Sequence, residues 1–214
     1  MKKEFLQFDE IRDNAIKLAH RIYNDGFFPD VIYVSLRGGA YLGNIISEYF
    51  KVVHDTAPSC KAGRPVYYAA VVARSYTDVA KSDQVKVDGW TYSPDYLRVG
   101  DKVLLIDDIF DSGKTINHLA QIILDKGIPR NDLKIAVHDY KYFYDKKEQL
   151  PIHPDYWCRK HDISINDDTY WIHYMSHELM GLTEIELENN YYSRDPNLKE
   201  AMHIITDGND DLRN

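Results

Sequence analysis

The run from Val103 to Thr115, VLLIDDIFDSGKT, constrains the fold of this chain more than any other feature. Its first four residues are apolar and predict a strand buried on both faces, which delivers the adjacent carboxylates Asp107 and Asp108 to its carboxyl end. A turn of small and hydroxyl-bearing residues then opens a helix that we predict over residues 112–126. Because open α/β sheets bind ligands at the carboxyl ends of their strands, the run predicts a ligand site there.

The same run indicates the chemistry of that ligand. Successive backbone N–H groups at a helix start bind phosphate, and the hydroxyls of Ser112 and Thr115 would add donors. Carboxylates repel phosphate, so Asp107 and Asp108 are assigned to ribose hydroxyls or to an oxygen-binding cation such as Mg²⁺. Residues 112–115 also resemble the end of a P-loop, but that motif requires glycine where Asp108 stands. The missing glycine weakens the alternative of a nucleoside-triphosphate hydrolase.

Strands alternate with helices along the first two thirds of the chain, which predicts an α/β fold with a mostly parallel sheet flanked by helices. The predicted strands cover residues 31–34, 66–73, 102–106 and 133–137, and a helix with one apolar face covers 9–23. Residues 74–101 are predicted to be a long polar loop, and such loops are usually functional. Aromatic segments at 155–159 and 169–174 favour short strands in a smaller appended region, and the polar tail is expected to be loosely held.

Composition excludes several classes of protein. The net charge of −8 disfavours a nucleic-acid-binding surface, which needs excess Lys and Arg. The two cysteines lie far apart and suggest neither a disulfide framework nor a zinc site. The histidines lack paired metal-ligand spacing, and no apolar run approaches the roughly 20 residues of a membrane span. We expect a cytoplasmic protein that binds neither nucleic acid nor membrane.

The strand, the acidic pair and the Asp-Ser-Gly-Lys-Thr turn together resemble the phosphoribosyl-pyrophosphate motif of type I phosphoribosyltransferases. The resemblance implies that Asp107 and Asp108 hold the ribose hydroxyls. It also implies that the 5′-phosphate is wrapped by the turn, whose residues are Asp111, Ser112, Gly113, Lys114 and Thr115. Asp111 would lie near N7 of a purine and act as the catalytic acid or base.

Two further segments resemble the pyrophosphate-binding parts of this family. Leu36, Arg37 and Gly38 follow the first predicted core strand, as the family's pyrophosphate loop does, although the hypoxanthine-guanine branch carries lysine where Arg37 stands. Glycine there lets the backbone approach the pyrophosphate. The pair Ser75 and Tyr76 resembles the catalytic loop that closes over bound pyrophosphate, which would exclude water from the reacting ribose.

The resemblance also assigns residues to the base and to the metal. Lys141 matches the lysine that hydrogen-bonds the 6-oxo group and N7, with Lys146 and Lys147 as nearby alternatives. Trp171 and Ile172 match the pair at which the purine stacks and its edge is read, with Tyr170 as a competing candidate. Glu178 falls where relatives carry an acidic residue that helps hold Mg²⁺, so the predicted metal ligands are Asp108 and Glu178.

The sequence thus predicts a purine phosphoribosyltransferase that joins hypoxanthine, guanine or xanthine to phosphoribosyl pyrophosphate. We expect a single domain with a core over residues 29–140, a hood over 141–190 together with the N-terminal segment, and a polar tail over 193–214. Homodimer and homotetramer both remain open. The alternative from another class is a regulatory or binding protein on the same fold, because fold resemblance does not prove turnover.

Overall fold

The computed structural model of the chain describes residues 2–56, 65–78, 81–167 and 170–207. Within them the strands are β1 (Lys2–Leu6), β2 (Val31–Leu36), β3 (Tyr67–Asp78), β4 (Lys81–Trp90), β5 (Val103–Phe110), β6 (Leu133–Phe143), β7 (Tyr156–Ile163) and β8 (Tyr170–Tyr174). The α-helices are α1 (Phe8–Asn24), α2 (Ala40–Thr56), α3 (Lys114–Leu124), α4 (Glu184–Leu187) and α5 (Leu198–Asp207). None of these helices is long and apolar enough to cross a membrane.

The described residues form two compact units. The larger lies within Asp9–Asp168, and the smaller combines residues of Met1–Phe8 and Thr169–Asn214. The larger unit therefore extends beyond residue 140, the expected end of the core, and includes β7. Each unit has its own sheet and its own apolar cluster.

The sheet of the larger unit has the strand order β4-β3-β2-β5-β6-β7. Strands β3, β2, β5, β6 and β7 run parallel to one another, and β4 pairs antiparallel with β3. This confirms the predicted α/β class with a mostly parallel sheet. Segment 155–159, which was expected in the smaller appended region, lies in β7 at the edge of this main sheet.

Alternating side chains of the buried strands build a core on each face of this sheet. On one face, Val103 and Leu105 of β5 pack with the apolar residues of α3. On the other face, Leu104 and Ile106 pack with α1 and α2. A strand covered on both sides must be apolar at every position, which is why the run before Asp107 is uninterrupted.

Residues 74–101 are not a structureless loop, so that prediction was wrong. They continue β3 and form the antiparallel strand β4, with Ser75 opposite Val85 in the register. Val85 and Val87 are half-buried, whereas Lys86 and Asp88 are exposed. This alternation is typical of a strand with one solvent-exposed face. The charged residues disfavour pairing of this edge strand with other chains.

Several elements differ in extent from the prediction. Strand β5 continues through Asp107 and Asp108 to Phe110, because β6 supplies hydrogen-bond partners beyond the apolar run. Strand β6 continues to Phe143 and therefore includes Lys141. Helix α3 begins at Lys114, two residues later than expected.

The smaller unit joins the two ends of the chain. Strand β1 pairs in parallel with β8, so that Phe5 lies opposite His173. Helix α4 begins with a capping box formed by Thr183 and Glu186, and continues as one π-helical turn over Glu188–Tyr192. Helix α5 lies in the segment predicted to be a loosely held tail, but its Met202 is buried with four other apolar residues, Met175, Leu182, Leu187 and Tyr191.

A buried carboxylate joins β6 to β7. Asp139 has no exposed surface and accepts hydrogen bonds from His138 Nδ1 (2.6 Å), His161 Nε2 (2.7 Å) and Arg159 Nε (2.7 Å). Burial alone would raise the pKa of Asp139, but these donors outweigh it and lower that pKa. The ionised carboxylate is therefore part of the folded structure.

We predict that Asp139→Ala lowers the free energy of unfolding by about 3–5 kcal/mol, because it leaves buried donors without their acceptor. The control is Asp162→Ala, which removes an exposed ion pair with Lys160 and should change that free energy by less than about 1 kcal/mol. Urea denaturation measures the free energy of unfolding of both variants.

Because the folded pKa of Asp139 is lowered, the contribution of this carboxylate to stability is present above its unfolded pKa of about 4 and declines as the pH falls below that value. Equal losses for the two variants would contradict the prediction.

Candidate active site

A topological switch point lies between β2 and β5. These strands are neighbours in the sheet, but the chain leaves β2 through α2 to β3 on one side and leaves β5 through α3 to β6 on the other. The two connections therefore diverge and leave a crevice at the carboxyl ends of the two strands. Open α/β sheets bind their ligands at such crevices. Both the glycine loop and the acidic motif of the sequence begin here.

The loop after β2 packs against the acidic pair at the end of β5. A Cβ atom on Gly38 would overlap the carboxyl group of Asp108, so only glycine allows this approach. The peptide bond between Leu36 and Arg37 is cis, and Arg37 is exposed. The structure thus brings Gly38, predicted for pyrophosphate, next to Asp108, predicted for ribose and metal.

The two adjacent carboxylates have different surroundings. Asp107 is buried, while Asp108 is half-buried. The Asp107 Oδ1 atom accepts the backbone N–H of Asp108 at 3.0 Å, and the Asp108 Oδ1 atom accepts that of Ile109 at 2.9 Å. Burial, and then the charge of Asp108, raise the pKa of Asp107, whereas a hydrogen bond with Ser35 opposes the rise. Hydroxyl groups or a cation at this pair would relieve the repulsion.

The phosphate turn ends on a glycine in a left-handed conformation. Gly113 has φ of 77° and precedes α3, and a Cβ atom there would overlap the ring of Phe110. The Lys114 N–H points to Ser112 Oγ at 3.4 Å. The backbone N–H groups of the first helical turn have no acceptors within the helix, so they and the Ser112 and Thr115 hydroxyls suit an anion.

Asn117 fixes the start of α3 to a distant loop. Its Nδ2 group donates to the carbonyls of Gly113 (3.0 Å) and Ile152 (2.8 Å), and its Oδ1 atom accepts the N–H of Ile152 at 3.0 Å. Sequence reasoning did not identify Asn117. An asparagine one turn into an otherwise apolar helix face was the available signal.

Lys141 and Asp111 form an ion pair beside the phosphate turn, with Lys141 Nζ 3.4 Å from Asp111 Oδ1. The Lys141 side chain is only 5% exposed, whereas that of Asp111 is 49% exposed. Both residues line a small recess that also includes Ser112 and the alternative candidate Lys146. The structure therefore brings together the residues predicted to face N7 and the 6-oxo group of a base.

The remaining base and metal candidates lie in the smaller unit. Trp171 is 45% exposed, so its ring is not a core residue, whereas Ile172 is buried. The Oε2 atom of Glu178 receives two N–H groups, from Trp171 Nε1 (3.4 Å) and the Tyr174 backbone (3.0 Å), and lies 3.4 Å from His173 Nδ1. Asp108 suits a hard cation, because a half-buried carboxylate offers oxygen ligands. The Oε2 atom of Glu178 does not fit, because the N–H donors directed at it repel a cation there.

Ser75 and Tyr76, the pair predicted to close over pyrophosphate, lie in strand β3. Their side chains lie outside the described residues, as does the side chain of Tyr170. Ser35, which sequence reasoning missed, is buried in β2 and supports Asp107. A hydroxyl residue inside the apolar run Val31–Leu36 was the signal for it.

A nucleotide- or sugar-phosphate-binding α/β protein is the class that this crevice and fold define. The chain belongs to the family described as the phosphoribosyl transferase domain, which it matches over residues 2–173. Among curated relatives, the Bifunctional protein PyrR of Halalkalibacterium halodurans is 27% identical over 163 residues, covering 73% of this chain and 82% of that protein.

Solved structures share the fold. A purine phosphoribosyltransferase from Pyrococcus horikoshii superposes with a TM-score of 0.61 at 18% identity, covering 86% of this chain and 99% of that one. The xanthine-guanine-hypoxanthine phosphoribosyltransferase of Helicobacter pylori gives a TM-score of 0.54 at 18% identity, covering 88% and 97%. At these identities the likeness shows the fold alone.

We predict that Asp107→Asn raises the melting temperature at pH 8, because the amide keeps the shape and the acceptor of the carboxyl group without its charge. Each kcal/mol relieved would raise the melting temperature by about 2–4 °C. Because the folded pKa of Asp107 is raised, the wild-type carboxyl group favours folding at low pH, and this contribution is lost as the pH rises through that pKa. The gain should therefore vanish below the unfolded pKa of about 4.

Thermal melting at several pH values checks this prediction. The control is Asp13→Asn on α1, where the carboxylate is exposed and pairs with Arg12. A destabilised Asp107→Asn protein at pH 8 would show that the charge of Asp107 is compensated in the folded state.

Proposed function

We propose that this phosphoribosyltransferase-family chain transfers the phosphoribosyl group of phosphoribosyl pyrophosphate to a 6-oxopurine base, in purine salvage. The observation that carries the proposal is the Asp111–Lys141 ion pair at the phosphate turn. In a 6-oxopurine, O6 and N7 lie side by side on one edge. A lysine donor for O6 and a carboxylate for the N7 proton match that edge, whereas adenine presents an amino group to the lysine.

In the proposed reaction, Asp111 accepts the proton that the base loses. As N9 of the base bonds to C1 of the ribose, the bond from C1 to the pyrophosphate oxygen breaks and N7 loses its proton to the Asp111 carboxylate. Lys141 holds the carboxylate in place and donates to the 6-oxo group. Catalysis then depends mainly on positioning and on stabilisation of charge at C1.

The phosphoribosyl group is held by the crevice between β2 and β5. We assign the 5′-phosphate to the turn from Asp111 to Thr115, the ribose hydroxyls to Asp107 and Asp108, and pyrophosphate to the loop Leu36–Gly38. By the family resemblance, Ser75 and Tyr76 cover the pyrophosphate and exclude water. Mg²⁺, when bound by Asp108, supplies positive charge to the departing pyrophosphate.

The base is proposed to stack on Trp171. The exposed ring of Trp171 favours a stacking role over a place in the core. Stacking on aromatic faces contributes about 1–3 kcal/mol per base in single-strand-binding proteins. Ile172 would read the base edge through its backbone groups. The preference among hypoxanthine, guanine and xanthine stays open, as does the choice between homodimer and homotetramer.

A second candidate function is a regulatory or binding activity on the same fold. It is favoured by the curated relatives, which carry the name Bifunctional protein. The net charge of −8 disfavours nucleic acid as the partner of such an activity. Ligand binding without turnover would support this candidate.

We predict that kcat/KM for hypoxanthine or guanine exceeds that for adenine, uracil or orotate by about 10²-fold or more, because adenine presents an amino group to the lysine donor and the pyrimidines lack the N7 that faces the carboxylate. A spectrophotometric panel of bases with phosphoribosyl pyrophosphate and Mg²⁺ measures these values. Lys141→Met keeps the length of the side chain and should remove most of the preference. Efficient use of adenine by the wild type would refute the assignment of Lys141.

We predict that Asp111→Asn lowers kcat by about 10²-fold or more, because the amide keeps an oxygen for Lys141 but cannot accept a proton. Affinity for phosphoribosyl pyrophosphate and the melting temperature should stay close to those of the wild type. Asp125→Asn, at the other end of α3, is the matched control and should leave kcat unchanged. If Asp111 only stabilises the turn before α3, turnover would be normal in a protein destabilised by about 1 kcal/mol.

A further inference from the structure

The Glu178 carboxylate, in the smaller unit, accepts hydrogen bonds from N–H groups around the exposed Trp171. Glu178 Oε2 faces the Trp171 indole N–H at 3.4 Å and accepts the backbone N–H of Tyr174 at 3.0 Å. The Glu178 N–H in turn donates to the Tyr174 carbonyl at 2.9 Å. The chain therefore turns back after β8, and the carboxylate lies against the end of the strand that carries Trp171.

A buried histidine supports the same carboxylate from the other side. The His173 side chain is 1% exposed, and its Nδ1 atom lies 3.4 Å from Glu178 Oε2. Its Nε2 atom lies 3.2 Å from the Tyr191 hydroxyl, which also donates to the Glu178 backbone carbonyl at 3.3 Å. Burial, and then the charge of Lys3, lower the pKa of His173, which favours the neutral ring.

Trp171 projects from a two-stranded sheet with nearly half of its surface exposed. A side chain with two rotatable bonds loses conformational freedom when it is held, and a ring that is already held binds a flat ligand at lower entropic cost. The indole N–H is the only polar group by which the ring can be oriented.

We propose that Glu178 is a positioning residue that orients the Trp171 ring for the base, and that it is not a Mg²⁺ ligand. This inference rests on the proposed function, in which the base stacks on Trp171. It corrects the expectation that the sequence raised for Glu178. The N–H groups of Trp171 and Tyr174 at Oε2 are the surroundings of an acceptor, and a divalent cation on that oxygen would have to displace them.

Two substitutions of Glu178 separate the two roles. Glu178→Gln keeps a carbonyl oxygen that accepts N–H groups but is a poor ligand for Mg²⁺, while Glu178→Ala removes both capacities. We expect Glu178→Ala to raise the Kd for the preferred base about tenfold, within the range that aromatic stacking spans, and Glu178→Gln to recover most of that loss. The Mg²⁺ concentration for half-maximal turnover should be the same in both variants and the wild type.

A double-mutant cycle shows whether Glu178 acts through Trp171. Trp171→Phe keeps a stacking face but lacks the N–H group, so the effect of Glu178→Ala on base affinity should disappear in that background. An undiminished effect would mean that Glu178 only supports the fold. A shift of the Mg²⁺ requirement, with Gln as damaging as Ala, would make Glu178 a metal ligand and overturn the proposal.

Fluorescence tests the inference without any base. Subtracting the Trp171→Phe spectrum removes the emission of Trp90 and Trp157, and acrylamide quenching of the remainder reports how the Trp171 ring is held. Quenching should rise in Glu178→Ala and stay near the wild-type value in Glu178→Gln. If no base binds but quenching changes as expected, the proposed function fails while the positioning of Trp171 by Glu178 stands. Unchanged quenching in Glu178→Ala would refute the positioning itself.

Discussion

The parallel pairing of β2 with β5 is the interaction on which the larger unit depends. It places two strand ends side by side and sends their connections in opposite directions, and the crevice between them follows from that topology. The glycine loop after β2 comes close to the carboxyl group of Asp108 at Gly38. The acidic pair at the end of β5 therefore lies beside the loop predicted to bind pyrophosphate.

This arrangement is unfavourable for the charge of the Asp107 carboxyl group. Burial and the charge of Asp108 raise the pKa of this carboxyl group, and Ser35 and one backbone N–H partly offset the rise. Such a residue is typical of a binding site, where the ligand supplies what the empty protein lacks. Asp139, two strand positions beyond the level of Asp107, shows the opposite case, since hydrogen bonds from His138, Arg159 and His161 compensate its charge.

The order of elements and the acidic motif were predictable from sequence because they depend on local signals. The apolar run before Asp107 defines a buried strand, and a turn of small residues after it defines a helix start. The strand β4 was missed because Val85 and Val87 are its only apolar alternation among charged residues, and its partner β3 provides the pairing. The ion pair of Lys141 with Asp111 and the contacts of Glu178 could not be predicted, since they depend on register and on side-chain rotamers that no sequence pattern specifies.

Asn117 gives the phosphate turn a second point of attachment. Its amide joins Gly113, just before α3, to Ile152, a buried residue in the connection between β6 and β7. Changes in that connection that move Ile152 would thus reach the N-terminal turn of α3 through two hydrogen bonds, and would alter the proposed phosphate site without replacing any of its residues.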